Sequence, residues 1–518
     1  MKKTDKDNFD FIKNMFDEEK PELPQSLSTD AIRAKLGADD EPKVVKLNRK
    51  NNFFAIAAAA AVFLIAVGAA VALNFGNSNP EKIENFDPFI SEADKISGFA
   101  SYDELNSTID SLSKIPPDGE YGAGLFYTKA DDGEDGVEKP DTIKTDGKYI
   151  YYAYQYPWGS DKDRIYVFSV NGEKTKFVSA IDPLADGAIG EDEDFSVSGL
   201  FVSGNSLAVI MEKRNLHEFS YGRDLDTAVT KIYDISNKSA PKFVTEFEQS
   251  GKLFITRMVN DTLYVVSNYE VASNDREFTV PYIRQGDERS TVSPDEIYSF
   301  ETMTQAQYAV ISSIDLQNRK QAMPLMAVLG GSPKVHCTKS YMFINEYIKG
   351  EIEGEPERAV NAAMKLDLRN GYIAYATEEE IDKYTNDTVD LVKGDMYDST
   401  LYPLNGNWLN IGEYLDRPES DISLYDKDFN ELDRKVFENL FVNGGLAVNE
   451  EHSVYALHIM PSGFITFEIQ NDRIVITNEI TDAGNEELIF IGNRIYSISV
   501  IDDDAPDEER IEVLSYKY

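Results

Sequence analysis

From residue 141 to the end of the chain, apolar and polar positions alternate with a period of two in short runs broken by polar turn residues. This is the pattern of β-strands whose two faces meet different surroundings. The runs recur as a unit of strand, tight polar turn, Tyr- or Val-rich strand, loop, strand and last strand. In the first unit Asp146-Gly147 leads to Tyr149-Ile150-Tyr151-Tyr152, then Ile165-Tyr166-Val167-Phe168 and Phe177-Val178-Ser179-Ala180. In the second, Gly204-Asn205 leads to Leu207-Ala208-Val209-Ile210, Ile232-Tyr233-Asp234-Ile235 and Phe243-Val244-Thr245. Asn260-Asp261, Ser340, Gly406-Asn407, Glu451-His452 and Gly492-Asn493 open five more. Such dipeptides tolerate the positive φ angles of two-residue hairpins.

The expected fold is therefore all-β: a seven-bladed β-propeller of four-stranded antiparallel blades. The seventh unit supplies only three strands, the last at residues 511–516, so residues 124–128 (Gly-Leu-Phe-Tyr-Thr) are expected to complete it and cover its edge.

The pattern ahead of the strands is different. Residues 53–73 form 21 uncharged, mostly apolar positions, enough for a helix about 30 Å long that crosses a bilayer. Lys43, Lys46, Arg49 and Lys50 flank it on one side, and Gly76-Asn77-Ser78-Asn79-Pro80 on the other. The positive-inside bias then keeps the N-terminus in the cytoplasm and the remainder outside. The roughly 50 polar residues before the run are too many for the n-region of a cleavable signal.

The expected organisation is a cytoplasmic tail (1–50), a transmembrane helix (51–75), an extracytoplasmic linker with a short helix (76–118) and a propeller domain (119–518). Ser101-Tyr102-Asp103-Glu104 reads as a capping box, with Leu105, Ile109 and Leu112 on one helix face. In the tail, Phe9, Ile12, Met15 and Phe16 have helical spacing, and Ser28 can cap a second turn through Ile32 and Leu36. These segments read as a solvated tail or as a docking site for a cytoplasmic regulator.

Charge sharpens this picture. The chain carries −41, yet residues 1–50 hold 11 basic and 11 acidic side chains, so the excess lies beyond the apolar run. An acidic surface of this kind repels nucleic-acid phosphates and anionic lipid headgroups, so no nucleic-acid partner is expected. Cys337 is the only cysteine, which rules out an intramolecular disulfide and points to a bacterial surface protein.

The segment Asp141-Thr142-Ile143-Lys144-Thr145-Asp146-Gly147-Lys148-Tyr149-Ile150-Tyr151 resembles the opening signature of bacterial secreted or membrane-anchored β-propeller proteins distantly related to WD repeats. Ser312-Ser313-Ile314-Asp315-Leu316 and Met364-Lys365-Leu366-Asp367-Leu368 resemble later blades of that family, and the helix opening at Ser101 resembles its lead-in. The likeness covers roughly residues 100–380, and after about residue 385 the chain departs from the pattern. The resemblance implies the fold and carries no established activity.

Candidate chemistry is sparse. There is no Gly-x-Ser-x-Gly elbow, no His-Glu-x-x-His motif, and only His217, His336, His452 and His458. His336 and Cys337 are neighbours on a predicted strand and so point to opposite faces. Asp426, Asp428, Asn430 and Asp433 have the oxygen spacing of a calcium loop but lack its glycine and distal glutamate, and they also read as a plain hairpin. Asp502-Asp503-Asp504 with Asp507, Glu508 and Glu509 reads as a solvated loop. Tyr154, Tyr156 and Trp158 could stack on a ligand from the long loop of the first unit, or pack over a blade edge.

No cofactor is expected. The reading points away from an enzyme and towards a membrane-anchored, non-catalytic recognition or scaffolding module for a protein, peptide or envelope glycan, shaped by the insertions near 211–229 and 268–305. The alternative is a transmembrane signalling protein of anti-sigma-factor type, with the propeller as sensor.

Overall fold

The computed structural model describes residues 89–112, 136–155, 163–185, 193–215, 226–271, 280–301, 303, 306–346, 362–384, 398–404, 407–413, 419–427, 430–438, 442–449, 452–459, 463–481, 487–502 and 505–518. All belong to the unit Asp87–Tyr518. The predicted tail, membrane segment and strand 124–128 lie outside the described residues. Among those described, no helix is long and apolar enough to cross a membrane.

The tight turns appear where the sequence predicts them. Gly147 and Gly204 have φ of 84° and 55°, and Asn260 and Asp261 have φ of 49° and 63°. Glycine, asparagine and aspartate adopt this left-handed backbone most readily, and it matches the twist of the strands that it joins.

The helix α1 (Tyr102–Leu112) precedes the strands. Sheet one holds β1 (Ile143–Thr145), β2 (Tyr149–Tyr154), β3 (Arg164–Asn171) and β4 (Lys174–Ile181). Sheet two begins with β5 (Glu193–Ser203), β6 (Ser206–Asn215), β7 (Thr227–Asp234) and β8 (Lys242–Ser250), and sheet three with β9 (Lys252–Val259) and β10 (Thr262–Glu270). The connection that follows forms β11 (Tyr282–Gln285), β12 (Glu288–Thr291) and β13 (Ile297–Ser299). Sheet three then continues with β14 (Gln307–Asp315), β15 (Lys320–Gln321) and β16 (Met326–Leu329).

Sheet four holds β17 (Gly331–Cys337), β18 (Tyr341–Glu346), β19 (Ala363–Asp367) and β20 (Ile373–Tyr375), with α2 (Glu378–Tyr384) after it. Sheet five has β21 (Asp398–Leu404), β22 (Asn407–Glu413), β23 (Glu419–Tyr425) and β24 (Glu431–Glu438). Sheet six has β25 (Val442–Asn449), β26 (Val454–Ile459), β27 (Gly463–Ile469) and β28 (Ile474–Thr481). Sheet seven has three strands among the described residues, β29 (Glu487–Ile491), β30 (Arg494–Val500) and β31 (Ile511–Lys517), with the turn α3 (Asp507–Arg510) before the last.

Pairing is antiparallel except for β13 with β16. The sheets stack face to face, so apolar side chains meet in the seams between sheets one and two, two and three, three and four, five and six, six and seven, and seven and one. Val167 of sheet one meets Leu207 and Val229 of sheet two, and Tyr264 of sheet three meets Met342 and Leu366 of sheet four. Leu409 of sheet five meets Leu457 of sheet six. Sheet seven packs on sheet one through Tyr496 and Ile498 against Tyr152 and Phe168, so the last sheet returns to the first.

This stacking corrects the expectation of simple alternation. Middle strands such as β7 and β14 are buried on both faces, because each face has a neighbouring sheet. Alternation survives on an outer strand such as β28.

The long connection after β10 also has a role other than the expected one. The β11–β12 hairpin extends the outer edge of sheet two at β8, and β13 adds to β16 at the outer edge of sheet three. Its described part covers sheet edges that would otherwise be open.

The expected capping box forms in a shifted version: Ser101 Oγ accepts the Glu104 N–H at 3.2 Å, while Glu104 Oε2 accepts the N–H of Ala100, one residue before the cap, at 2.9 Å. Leu105 and Ile109 bury that helix in the seam between sheets two and three.

Candidate binding face

Antiparallel order gives each sheet two ends with different connections. First-to-second and third-to-fourth strands join at one end, the turn end. Second-to-third strands, and the steps to the next sheet, join at the other, the loop end.

Turn-end connections are short, such as Gly172-Glu173, Gly204-Asn205 and Gly492-Asn493. Loop-end connections include residues 216–226, 271–306, 347–362 and 376–397. The longest connections are therefore concentrated at the loop end.

The turn end is closed by a repeated aspartate. Asp234, Asp315, Asp367 and Asp426 occupy the same place in sheets two to five, each ending or following the third strand. Their carboxylates accept backbone N–H groups of Ser236 at 2.8 Å, Gln317 at 2.8 Å, Arg369 at 3.0 Å and Asn430 at 2.9 Å. The next residue in three of them donates to the neighbouring hairpin turn: Ile235 to Asn205, Leu316 to Asp261 and Leu368 to Ser340.

Arg319, at φ 57°, reaches back from sheet three to Asp234 at 2.9 Å, Ser206 Oγ at 3.0 Å and the Asn205 carbonyl at 3.1 Å. Ser236 and Arg319 hold the Asp234 carboxyl below its ordinary range, and the Asn318 side chain does the same for Asp315. Burial pushes Asp367 up, but the Arg369 guanidinium and the Arg369 and Ile90 N–H groups outweigh it and hold that carboxyl low.

The loop end and the axis are arranged differently. Before β1, residues 138–142 cross the innermost strands: Glu138 exchanges two 2.8 Å hydrogen bonds with Met258, the Asp141 carbonyl accepts the Leu200 N–H at 2.8 Å, and Thr142 Oγ1 donates to Glu487 Oε1 at 2.5 Å. Lys144 Nζ reaches Glu138 at 2.8 Å and the Lys139 carbonyl at 2.6 Å.

Asp141 stands where these inner strands converge. Asp141 is exposed, yet the protein packed around its carboxyl raises it above the ordinary range against the Ile143 N–H and Lys144. Glu212, near the loop end of β6, is raised too, by burial and nearby Asp226 against Lys252 and Arg214.

Buried polar atoms without a hydrogen-bond partner also gather at this end. Thr227 Oγ1, Gln249 Oε1, Asn268 Oδ1, Asn345 Oδ1, His458 Nε2 and Arg510 Nε all lie where second strands finish, third strands begin or fourth strands leave. Burial lowers His458, whose Nδ1 lies 3.4 Å from the Gly463 carbonyl.

The residues singled out from sequence do not converge. Tyr154 ends β2 with 4% of its surface exposed and its ring 6.3 Å from that of Tyr166, while Tyr156 and Trp158 lie outside the described residues. Asp426 accepts the Asn430 N–H and side-chain amide, each at 2.9 Å, closing a hairpin. Asp433 turns instead to Lys435 at 2.7 Å and the Ile474 N–H of sheet six at 2.9 Å, and Asp428 lies outside the described residues. Among the described residues, no group of three His, Cys, Asp or Glu is placed to hold a metal. Cys337 is buried between sheets three and four, while the His336 ring lies 5.1 Å from Tyr384 on the opposite face.

Sequence reasoning missed Asp141 as a site residue and Arg319 as a link between sheets. Asp141 opens the signature segment, which was the available signal; nothing local marks Arg319.

Face-to-face stacking of mostly four-stranded antiparallel sheets, with the last returning to the first, defines a β-propeller. The chain belongs to the β-propeller domain family, whose pattern matches residues 127–389, just over half of it. The WD40 repeats of RRP9 share 10% identity over 76% of this chain and 99% of that one, with a TM-score of 0.32. U3-55K shares 11% over 76% and 100%, at 0.33, and BamB from Moraxella catarrhalis shares 11% over 74% and 96%, at 0.27. No curated protein matches the sequence significantly.

Proposed function

We propose that this chain is a membrane-anchored, extracytoplasmic recognition or scaffolding module that binds a protein, peptide or envelope glycan at the loop end of a seven-bladed propeller. The observation that carries the reading is the concentration of long connections at one end of rigid sheets, which is how a scaffold presents variable binding loops in fixed geometry. Seven sheets, the packing of sheet seven on sheet one, and a family match that opens at residue 127 support seven blades completed by residues 124–128. The apolar run 53–73 and its basic flank support the anchor.

The test uses the full chain in its own cells. Residues 216–225 and 272–279 are replaced by short Gly-Ser connections, and surface crosslinking is compared with that of a turn-end variant, Asn318→Ala. Loss of a specific crosslinked species on loop replacement alone is the expected result. A species that survives loop replacement and disappears with the turn-end change would reverse the assignment. Protection of the C-terminal region from protease added to whole cells would remove the extracytoplasmic placement.

A further inference from the structure

The path of residues 89–112 singles out one end of the molecule. The Ile90 N–H donates to Asp367 Oδ2 at 3.0 Å, and Asn370 Nδ2 donates to the Ile90 carbonyl at 3.1 Å, both at the turn end of sheet four. The chain then climbs the outer rims: Lys95 lies over the Tyr372 ring, Ile96 donates to the Ile373 carbonyl of β20, Phe99 donates to the Ile297 carbonyl of β13, and α1 enters the seam between sheets two and three. Phe89, where the described chain begins, is 62% exposed with the Arg369 guanidinium 3.9 Å above its ring.

Only residues 74–88 separate Phe89 from the apolar run 53–73. Fully extended, that stretch reaches about 50 Å. An eight-residue strand already spans about 27 Å, so bringing the loop end to the bilayer would use over half of that reach along the flank.

Charge favours the same end. Lys148, Lys174, Lys242 and Lys320 are exposed beside the turns of sheets one to three, where Lys242 stands opposite Asp234 and Lys320 opposite Asp315, whose carboxyl it helps to hold low. The aspartates there are engaged by backbone N–H groups, by Arg319 or by Arg369. Lys148, Lys174, Lys238, Lys242, Arg319, Lys320 and Arg369 balance the ionised carboxylates of the same turns, Asp146, Glu173, Asp234, Asp261, Asp315 and Asp367, so most of the net −41 lies away from the turn end of sheets one to four.

We propose that the turn end of sheets one to four faces an anionic lipid surface, with these lysines against the headgroups and the loop end directed away from the bilayer. This rests on the membrane-anchored reading. The overall acidity that argues against headgroup contact is then a property of the distal end, and the lysines act within about one Debye length, about 8 Å, of the lipid.

The test reconstitutes the full chain in vesicles of phosphatidylcholine with phosphatidylglycerol that contain a headgroup spin label. A fluorophore is placed on Asn318→Cys at the turn end or on Glu270→Cys at the loop end, with the unsubstituted chain and its buried Cys337 as the labelling control. The turn-end label is expected to be quenched severalfold more than the loop-end label. Lys174→Gln and Lys320→Gln are each expected to lower the ratio of apposed to lifted molecules about fivefold. Equal quenching at both ends, stronger quenching at the loop end, or no difference from pure phosphatidylcholine would overturn the orientation while the chain stays in the membrane. Release of the unsubstituted chain by alkaline carbonate would overturn the anchoring reading, and the orientation with it.

Discussion

The two ends of these sheets are made by the same strands, yet they treat polar groups in opposite ways. At the turn end Asp234, Asp315 and Asp367 accept N–H groups from their own turns, and Arg319 ties sheet three to sheet two. Their carboxyls are held below the ordinary range. Towards the loop end Glu212 is raised instead, as is Asp141 on the axis, and Thr227, Gln249 and His458 bury atoms that meet no hydrogen-bonding group among the described residues. A short turn positions its own donors around a carboxylate, whereas a long connection leaves the strand ends without them. One end therefore stabilises the fold, while the other carries a cost that recognition can justify.

The largest effect is expected at the turn end. Asp367 is 0% exposed and holds Arg369 and the Ile90 N–H, so Asp367→Ala leaves a cation and a donor unmatched. We expect a loss of about 3–5 kcal/mol in chemical denaturation. A loss below about 1 kcal/mol would mean that the turn-end carboxylates are not what holds the rim.

Gly251 is one exception at the loop end, a single residue joining sheets two and three at φ 94°, where an added Cβ would lie 2.5 Å from the Asn268 carbonyl oxygen. Gly251→Ala is expected to cost about 1–3 kcal/mol, which thermal unfolding would register. A neutral result would show that this junction is not strained.

Acid should separate the turn-end aspartates from Asp141 on the axis by sign. A carboxyl held low in the fold adds stability above its unfolded value, near 3.9 for aspartate, and that stability is lost as pH falls through the lower folded value. Asp234, Asp315 and Asp367 therefore predict weakening below about pH 4. A carboxyl raised in the fold destabilises at neutral pH, and protonation relieves it, so Asp141→Asn is expected to stabilise at pH 7 and to have no such benefit once pH lies below the unfolded value. Denaturation midpoints of Asp367→Ala and Asp141→Asn across pH 3–7, each against the unsubstituted chain, check both signs.

How much of this was legible depended on distance along the chain. The turn Asn260-Asp261 and the strand that follows it could be read directly, because positive φ and apolar runs are local properties. The β11–β12 hairpin could not: β12 is polar and fully exposed, and β11 is defined by pairing with the outer edge of β8. The docking of Ile90 on Asp367 joins residues 277 apart, and nothing near either residue announces it. Double-faced burial was likewise hidden, since a strand's second face becomes apolar only when another sheet stacks on it. Among site residues, Tyr154 read as a loop aromatic only because the end of β2 was placed too early.

The smallest effects test the contrast most directly, because they compare two single hydroxyl groups. Ser206 Oγ, at the turn end, donates to the Leu316 carbonyl at 2.7 Å and accepts from Arg319 Nε at 3.0 Å. Removing it in Ser206→Ala leaves both partners short of a bond, and about 0.5–1.5 kcal/mol should be lost. Thr227 Oγ1, at the loop end, is buried with no partner among the described residues, so Thr227→Val replaces it with a methyl group of similar volume and removes an uncompensated polar atom. That change should be neutral or stabilising by up to about 1 kcal/mol. Matched denaturation curves decide between them: equal losses would mean that the loop-end hydroxyl is satisfied by bound water, and the division between a satisfied and an unsatisfied end would then fail at the level of single atoms.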